Sequence, residues 1–494
     1  MLEQLIAGFG AALTVPNLVA ICAGIAVGIV IGALPGLGSV TAIAVLIPIT
    51  YYMSPLSAIA FLVGVNKGGT SGGAIPAILL NTPGTPEAAA TALDGYPLAQ
   101  RGQAMRAMKF ALYSSVSGDT ISDIVLILLA APFAAIALQF GPLEFSAVLL
   151  FSFALLSGLS GDSPLKGLIA IFAGVFVGTV GLDPIDSSPR MTFDLVNLYD
   201  GLPIGALAIG ALALASVVEQ IADSWHAHRR DGRPAGRVRQ RLDHSRLGLR
   251  EFAGHWRTIL RGAFIGSGVG MLPGLGVTLA AFLSYGAARR AARDPQSFGN
   301  GNPDGIVATE AANSAVVGAN LIPTIALGIP GNIAAALLIG AFMIHGIVPG
   351  PFMLTMHGEL VYALFASMLM ANALHLLIGS IGIRLWAQVA RVPVSLILPL
   401  VLVLCIVGVY LPGQSLFDVG VMLAFAGVGL LMRRTGFSIV CLVIGFLLGG
   451  MFESSLRQAM LMYKTDAGAI LESPIAIAFL VLTALVLARA VLRR

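Results

Sequence analysis

A short glycine-rich run occurs twice in this chain, offset by 238 positions. It reads Gly32-Ala-Leu-Pro-Gly-Leu-Gly38 and again Gly270-Met-Leu-Pro-Gly-Leu-Gly276. The match extends backwards, with Gly24, Gly28 and Gly32 falling on Gly262, Gly266 and Gly270. A second correspondence lies downstream at an offset of 247, where Asn66, Pro76, Pro83 and Gly84 fall on Asn313, Pro323, Pro330 and Gly331. Proline removes a backbone donor and glycine admits unusual dihedrals, so both repeats interrupt their helices at matching places. An interrupted helix in an apolar chain leaves bare N–H and C=O groups, tolerated in a bilayer only where they are buried in protein or line a cavity. Two related halves with corresponding breaks form the pattern of a membrane carrier.

The surroundings are apolar enough for that reading. Of the 494 residues, 57% are hydrophobic and 11% charged, against about 25% charged in soluble domains. Bilayer-length apolar runs fall near 103–140, 143–160, 164–182, 201–222, 320–344, 360–383, 394–411, 416–432, 437–452 and 474–492. They are continuous rather than alternating, which favours helices over a β-barrel. The expected fold is an all-α polytopic integral membrane protein. It has roughly a dozen helical elements in two inverted repeats, with re-entrant or broken helices. Residues 1–222 form the first half, with a glycine ladder at 24–38 and a broken-helix region at 66–90. Residues 258–494 form the second half, with a ladder at 262–276, a broken region at 310–336 and further C-terminal helices. Cys22, Cys405 and Cys441 have no metal-ligand spacing and read as small core residues. Met1-Leu-Glu-Gln-Leu5 lacks the positive region of a cleaved signal peptide and is kept in the fold.

The connector 223–257 carries nine arginines, from Arg229 to Arg257. The positive-inside rule makes it cytoplasmic, which is preferred here to a nucleic-acid arm. Arg433, Arg434, Arg493 and Arg494 mark further cytoplasmic ends. The second ladder is flanked by Arg257, Arg261, Arg289, Arg290 and Arg293, the first by no Lys or Arg but by Tyr51 and Tyr52. An inverted pair of hairpins follows, one opening outward and one inward. The alternative is that each arm is an ordinary spanning helix.

The broken regions hold the chemistry. Asn66-Lys-Gly-Gly-Thr-Ser-Gly-Gly73 and Asn81-Thr-Pro-Gly-Thr-Pro-Glu87 face Glu310-Ala-Ala-Asn-Ser314 and Gly328-Ile-Pro-Gly-Asn332 in the other half. Helix N-termini after the Pro-Gly breaks, together with small hydroxyls and amides, suit a carboxylate. Unwound carbonyls suit a cation such as sodium. The expected substrate-binding residues are Lys67, Thr70, Ser71, Thr82, Gly84, Thr85, Asn313, Gly331 and Asn332. The expected cation-binding residues are Asn66, Asn313, Asp119 and Asp123. No cofactor is expected, and no metal beyond sodium as a coupling ion. Lys67 has a bland alternative, snorkelling from an exposed loop, and Asp119 and Asp123 could simply bind Lys109 or a nearby hydroxyl. Asp162 and Lys166 read as a surface ion pair. His345, His357 and His375 read as buried, hydrogen-bonded histidines.

The strings Gly69-Thr-Ser-Gly-Gly-Ala-Ile-Pro-Ala-Ile-Leu-Leu-Asn-Thr-Pro-Gly-Thr-Pro-Glu-Ala-Ala-Ala90, Asp94-Gly-Tyr-Pro97, Ala326-Leu-Gly-Ile-Pro-Gly-Asn332 and His345-Gly-Ile-Val-Pro-Gly-Pro351 closely resemble the large membrane subunit of the tripartite tricarboxylate transporters. The resemblance covers almost the whole chain and is poorest in the arginine-rich connector. It implies a multi-pass permease of the bacterial inner membrane that works with a small four-helix membrane subunit and a periplasmic solute-binding protein. It further implies uptake of citrate-like or other carboxylates driven by a sodium or proton gradient, with no nucleic-acid partner. Two other classes stay in view. Gly69-Thr-Ser-Gly72 matches the Gly-x-Ser-Gly string of intramembrane serine proteases, with His375 on a hydrophobic helix. A non-transporting membrane scaffold would not require paired polar breaks.

Overall fold

Backbone groups in hydrocarbon must be satisfied within their own segment, which drives long apolar runs into helices. The computed structural model describes residues 2–34, 37–157, 163–183, 186–222, 247–390, 392, 394–463 and 473–492. The helices of the first half are α1 Leu2–Ala12, α2 Val15–Gly32, α3 Ser39–Thr50, α4 Pro55–Gly72, α5 Ala74–Leu80, α6 Ala88–Leu98, α7 Ala104–Ala137, α8 Pro142–Ser157 and α9 Pro164–Gly178. Helix α10, Ile204–Ala222, includes a π-helical stretch at Ile209–Leu214. The second half continues with α11 Leu249–Ala253, α12 Trp256–Gly270, α13 Val277–Ala291, α14 Pro303–Ala319, α15 Leu321–Leu327, α16 Ile333–Ile344, α17 Met353–Met356, α18 Gly358–Val389, α19 Val394–Gly413, α20 Leu416–Thr435, α21 Ile439–Met462 and α22 Pro474–Leu492. Strands β1 Gly181–Leu182 and β2 Pro189–Arg190 pair antiparallel between α9 and α10.

Seven helical spans among the described residues are long and apolar enough to cross a membrane. The chain is an all-α, multi-pass membrane protein. The apolar runs read from sequence become these helices with small shifts at their ends. The run 320–344 is an exception, being split by Gly328–Asn332 into α15 and α16. The run 437–452 extends to Met462. Pro35 and Gly36, Asp162, most of the arginine-rich connector (223–246) and Arg493–Arg494 lie outside the described residues.

Glycine spacing sets the closest helix contact. Gly24, Gly28 and Gly32 of α2 lie against the carbonyl oxygens of Phe61, Val65 and Gly69 of α4. In return Gly68 and Gly72 of α4 lie against the carbonyls of Ile25 and Ile29. Any Cβ at Gly28 would meet backbone, so the spacing requires glycine. The rising pairs 24 with 61, 28 with 65 and 32 with 69 mean that α2 and α4 run parallel, with α3 returning between them. The second half repeats the arrangement, with Gly262, Gly266 and Gly270 of α12 against Ala308, Ala312 and Val316 of α14.

The two halves interlock through the long helices α7 and α18, of 34 and 32 residues. Gly118 meets Ala311 and Ser122 meets Ala315, so α7 and α14 run parallel. Lys67 meets Asn372 and Ser71 meets His375, so α4 and α18 run parallel. Asn372 meets Asp123 while Gly379 meets Leu112, so α7 and α18 run in opposite directions.

Candidate functional site

Each half breaks its helix in the same local way. In the first half, Asn81 adopts a left-handed conformation (φ 54°) after α5, and the Thr82 N–H donates to Pro76 O at 3.3 Å. In the second, Gly328 is left-handed (φ 69°) after α15, and the Ile329 N–H donates to Pro323 O at 3.2 Å. These pairs obey the 247-residue offset. The glycines of the Pro-Gly steps also match: Gly84 sits under the Gly32 carbonyl and against Gly73, Gly331 under the Gly270 carbonyl and against Asn320. A side chain at either glycine would meet the tip of its own hairpin.

Between the halves lies a charged network closed to solvent. The Lys67 ammonium donates to Asp123 Oδ2 and to Asn372 Oδ1, both at 2.7 Å, and stands 3.5 Å from Asp119 Oδ1. The Asn372 amide donates to the same Asp123 oxygen at 2.7 Å. Lys67, Asp119 and Asp123 are at most 1% exposed. One ammonium faces two carboxylates, so the cluster carries one net negative charge when all three are ionised. Among the described residues, both Asp119 oxygens and Asp123 Oδ1 lack a hydrogen-bond partner. Buried charge without compensation is costly. The arrangement is therefore suited to hold a small cation or a proton at Asp119. Other buried polar atoms without partners among the described residues include Ser114 Oγ on α7, and Ser314 Oγ and both amide atoms of Asn313 on α14.

A second carboxylate is enclosed at Glu310, which is fully buried. Ser115 Oγ lies 2.8 Å from its Oε2 and Thr91 Oγ1 2.5 Å from its Oε1. Ser71 Oγ stands 2.7 Å from His375 Nε2. A cavity of about 30 Å³ beside Ser71 has room for a water or two. A larger one, about 600 Å³, lies between Phe140 at the end of α7 and His357 at the start of α18, and its lining residues Pro349 and Met451 stand against Gly328 of the second break.

Comparison with known proteins settles the family. The profile described as "Tripartite tricarboxylate transporter TctA family" matches residues 18–444. The chain belongs to this family. Two curated relatives come from Agrobacterium vitis. An "uncharacterized 52.8 kDa protein in TAR-I ttuC' 3'region" is 34% identical over 481 residues, 97% of this chain and 94% of the relative. An "uncharacterized protein in TAR-II ttuC' 3'region" is 34% identical over 215 residues, 44% of this chain and 89% of the relative. No solved structure matches. The protein is thus a membrane subunit of the tricarboxylate-transporter type.

The residues singled out from this TctA-family sequence fall into distinct places. Lys67, Asp119 and Asp123 come together, the lysine being engaged by both aspartates and by Asn372. Its partner role also replaces Lys109 in the bland reading of the aspartates. Asn66, Thr70 and Ser71 are buried along the last turns of α4. Thr82 is exposed. Thr85 packs over Gly73. Asn332 is the N-cap of α16, its side-chain oxygen accepting the Ala335 N–H at 2.9 Å, which satisfies one of that helix's free donors internally. Asp162 lies outside the described residues, while Lys166 donates to Thr435 O at 2.7 Å.

The Ser71–His375 contact supplies one element of the protease alternative. Its other elements are missing among the described residues. His375 Nδ1 has no partner to orient the ring, and Ser71 is buried within a helix. The pair reads as a lock between α4 and α18, and membership of a transporter family agrees with a non-enzyme.

Sequence reasoning passed over Asn372, Thr91 and Ser115, and named Glu310 within a polar string without giving it a role. A polar residue inside an apolar helix was the available signal. It also passed over the role of Asp94 in the string Asp94-Gly-Tyr-Pro97. Asp94 Oδ1 accepts from the N–H groups of Gly299, Gly301 and Asn302 at 2.8–2.9 Å, and Oδ2 accepts from Tyr285 Oη at 2.9 Å. It fastens α6 to the segment that enters α14.

Proposed function

We propose that this protein is the permease subunit of a binding-protein-dependent secondary transporter. In this reading it imports tricarboxylates or related carboxylates across the bacterial inner membrane, driven by a sodium or proton gradient. A small four-helix membrane subunit and a periplasmic solute-binding protein complete the system. The observation that carries the reading is the repeated helix break, with matching hydrogen bonds in both halves, in a chain of the TctA family.

The two repeats are inverted in this proposal. Supporting it, α4 runs with α18, α14 runs with α7, and α7 opposes α18, so α4 and α14 point in opposite directions. The arginines beside α12 and α13 put that hairpin's open end in the cytoplasm. Substrate carboxylates meet the breaks at 82–86 and 329–332 beside helix starts, where Gly84 and Gly331 let each break pack against the tip of its own hairpin. Thr70, Ser71, Thr85, Asn313 and Asn332 border that region. The cation binds at Asp119, with Asp123, Asn66 and Asn313 as its further proposed ligands. Its charge neutralises the excess carboxylate left by the Lys67 pair. Occupation from one side at a time follows if the broken segments move against the rest, as in an elevator.

The test is uptake of radiolabelled citrate and other di- and tricarboxylates into vesicles holding this chain and the small subunit, with binding protein added outside. Imposed sodium and proton gradients are varied separately. Uptake that needs neither gradient, or that proceeds equally without this chain, refutes the reading.

A further inference from the structure

We propose that Glu310 is a proton-binding site of this protein, distinct from the Lys67–Asp119–Asp123 cluster, and that Thr91 and Thr309 form the hydroxyl relay that lets it hold or release the proton. The hydroxyl protons around Glu310 are too few for an ionised carboxylate. Thr309 Oγ1 lies 3.0 Å from the carbonyl oxygens of Gly305 and Ile306. Carbonyls only accept, so Thr309 donates there. Thr309 and Thr91 are in contact at 2.9 Å. With the Thr309 proton in use, Thr91 is the donor in that pair. Thr91 then has no proton left for Glu310, 2.5 Å away. The contact is a hydrogen bond if Glu310 carries the proton on Oε1 and donates it to Thr91. Ser115 donates to Oε2 at 2.8 Å in either case. With Glu310 protonated, each hydroxyl and the acid has an acceptor and the Thr91 contacts on both sides carry a proton, Thr309 sharing its own between the two carbonyls. With Glu310 ionised, Thr91 turns to the carboxylate, and one contact along the path is left without a proton.

Burial agrees with the count. Thr91, Ser115, Thr309 and Glu310 are at most 1% exposed. No ammonium or guanidinium pairs with Glu310 among the described residues. Burying a charge without a partner is costly. The charged and titratable groups on the elements packed around it do not alter this. Glu87, just ahead of α6, adds a like charge. On α7, Asp119 lies one turn beyond Ser115 and is engaged with Lys67 of α4. On α13, Tyr285 donates to Asp94. On α12, Arg257 is exposed and Arg261 acts on Asp304 near the start of α14. Helix α15 carries no ionisable side chain.

The site joins the two halves. Thr91 belongs to α6, directly after the break at 81–87, Ser115 to α7, and Glu310 and Thr309 to α14. Loss of the proton therefore puts a charge between α6 and α14. This consequence for coupling rests on the transport reading, whereas the proton site itself does not.

Infrared difference spectroscopy tests it on the full chain reconstituted in lipid, without any need for transport. A pH step should produce a band in the C=O stretching region of a protonated carboxylic acid. That band should vanish in Glu310→Gln, shift in frequency in Thr91→Val, and persist in Glu87→Gln. If Glu310→Gln does not insert, the Thr91→Val and Ser115→Ala shifts decide. A band unchanged in all of these variants, or no such band, overturns the proposal. Loss of the band on adding sodium at constant low pH would assign a metal ion to Glu310 instead and also overturn it. In a working uptake assay, Glu310→Gln should remove proton-gradient dependence. Absence of uptake in the wild type would count against the transport reading and leave the infrared result standing.

Discussion

The Lys67 ammonium donates to the Asp123 carboxylate at 2.7 Å, with both side chains closed to solvent, across a separation of 56 residues in the chain. Removing one member of a buried ion pair leaves the other uncompensated, at a cost of about 3–5 kcal/mol. Lys67→Met should therefore lower the thermal unfolding temperature in detergent sharply. Lys67→Met with Asp123→Asn should recover part of it. The double-mutant cycle should show coupling of about 0.5–3 kcal/mol. Purely additive losses would mean that the pair is not energetically connected.

Asp119 provides the separate test of the cation. A ligand that binds the folded protein stabilises it by about 2.7 kcal/mol at a hundred times its dissociation constant. Wild-type protein should gain thermal stability with added sodium, or with falling pH if the ligand is a proton. Asp119→Asn should lose the sodium gain, or all of the acid gain except the share that protonation of Glu310 supplies, while keeping Lys67 paired to Asp123. An equal gain in the variant places the ion elsewhere.

Gly28 tests the parallel packing of α2 on α4. Its missing side chain points at the Val65 carbonyl and the Gly69 N–H. Gly28→Val forces the helices apart, and overpacking of this kind typically costs about 1–3 kcal/mol or more. Membrane-inserted yield should fall well below that of Gly268→Ala, where a Cβ meets nothing within 4 Å. Equal yields would show that the ladder contact is dispensable.

The inverted arrangement predicts opposite labelling of the two hairpin mouths. Tyr52 is 65% exposed, and Arg290 is exposed at the end of α13. In a cysteine-free background, Tyr52→Cys should react with an impermeant maleimide from the periplasm and Arg290→Cys from the cytoplasm. Labelling of both from one side would remove the inversion.

Asn332 separates helix capping from anion recognition. Asn332→Ala removes the bond to the Ala335 N–H and should destabilise by about 0.5–2 kcal/mol. Asn332→Asp keeps a capping oxygen and should preserve stability. Its added negative charge should still impair carboxylate uptake, measured per inserted protein, as should Thr85→Asp. Wild-type uptake in both acidic variants would move the anion away from these helix starts.

Reading the chain alone yields the helices, the paired breaks and a glycine face on α2 open to another backbone, with α4 as its partner shown only by the fold. These are local properties. Pro83-Gly84 and Pro330-Gly331 interrupt a helix wherever they occur, and glycine every fourth residue makes a groove that another backbone can enter. The partners of the buried charges are another matter. Lys67 finds Asp123 and Asn372, and Glu310 finds Thr91 and Ser115, across separations of 56 to 305 residues. Which residue faces which depends on the azimuth and axial register of each helix, fixed by packing of the whole bundle. The offset of 247 carries Lys67 onto Ser314 and Glu310 back onto Val63, so the symmetry visible in the sequence does not reach the charged residues. Tertiary structure alone set them against each other.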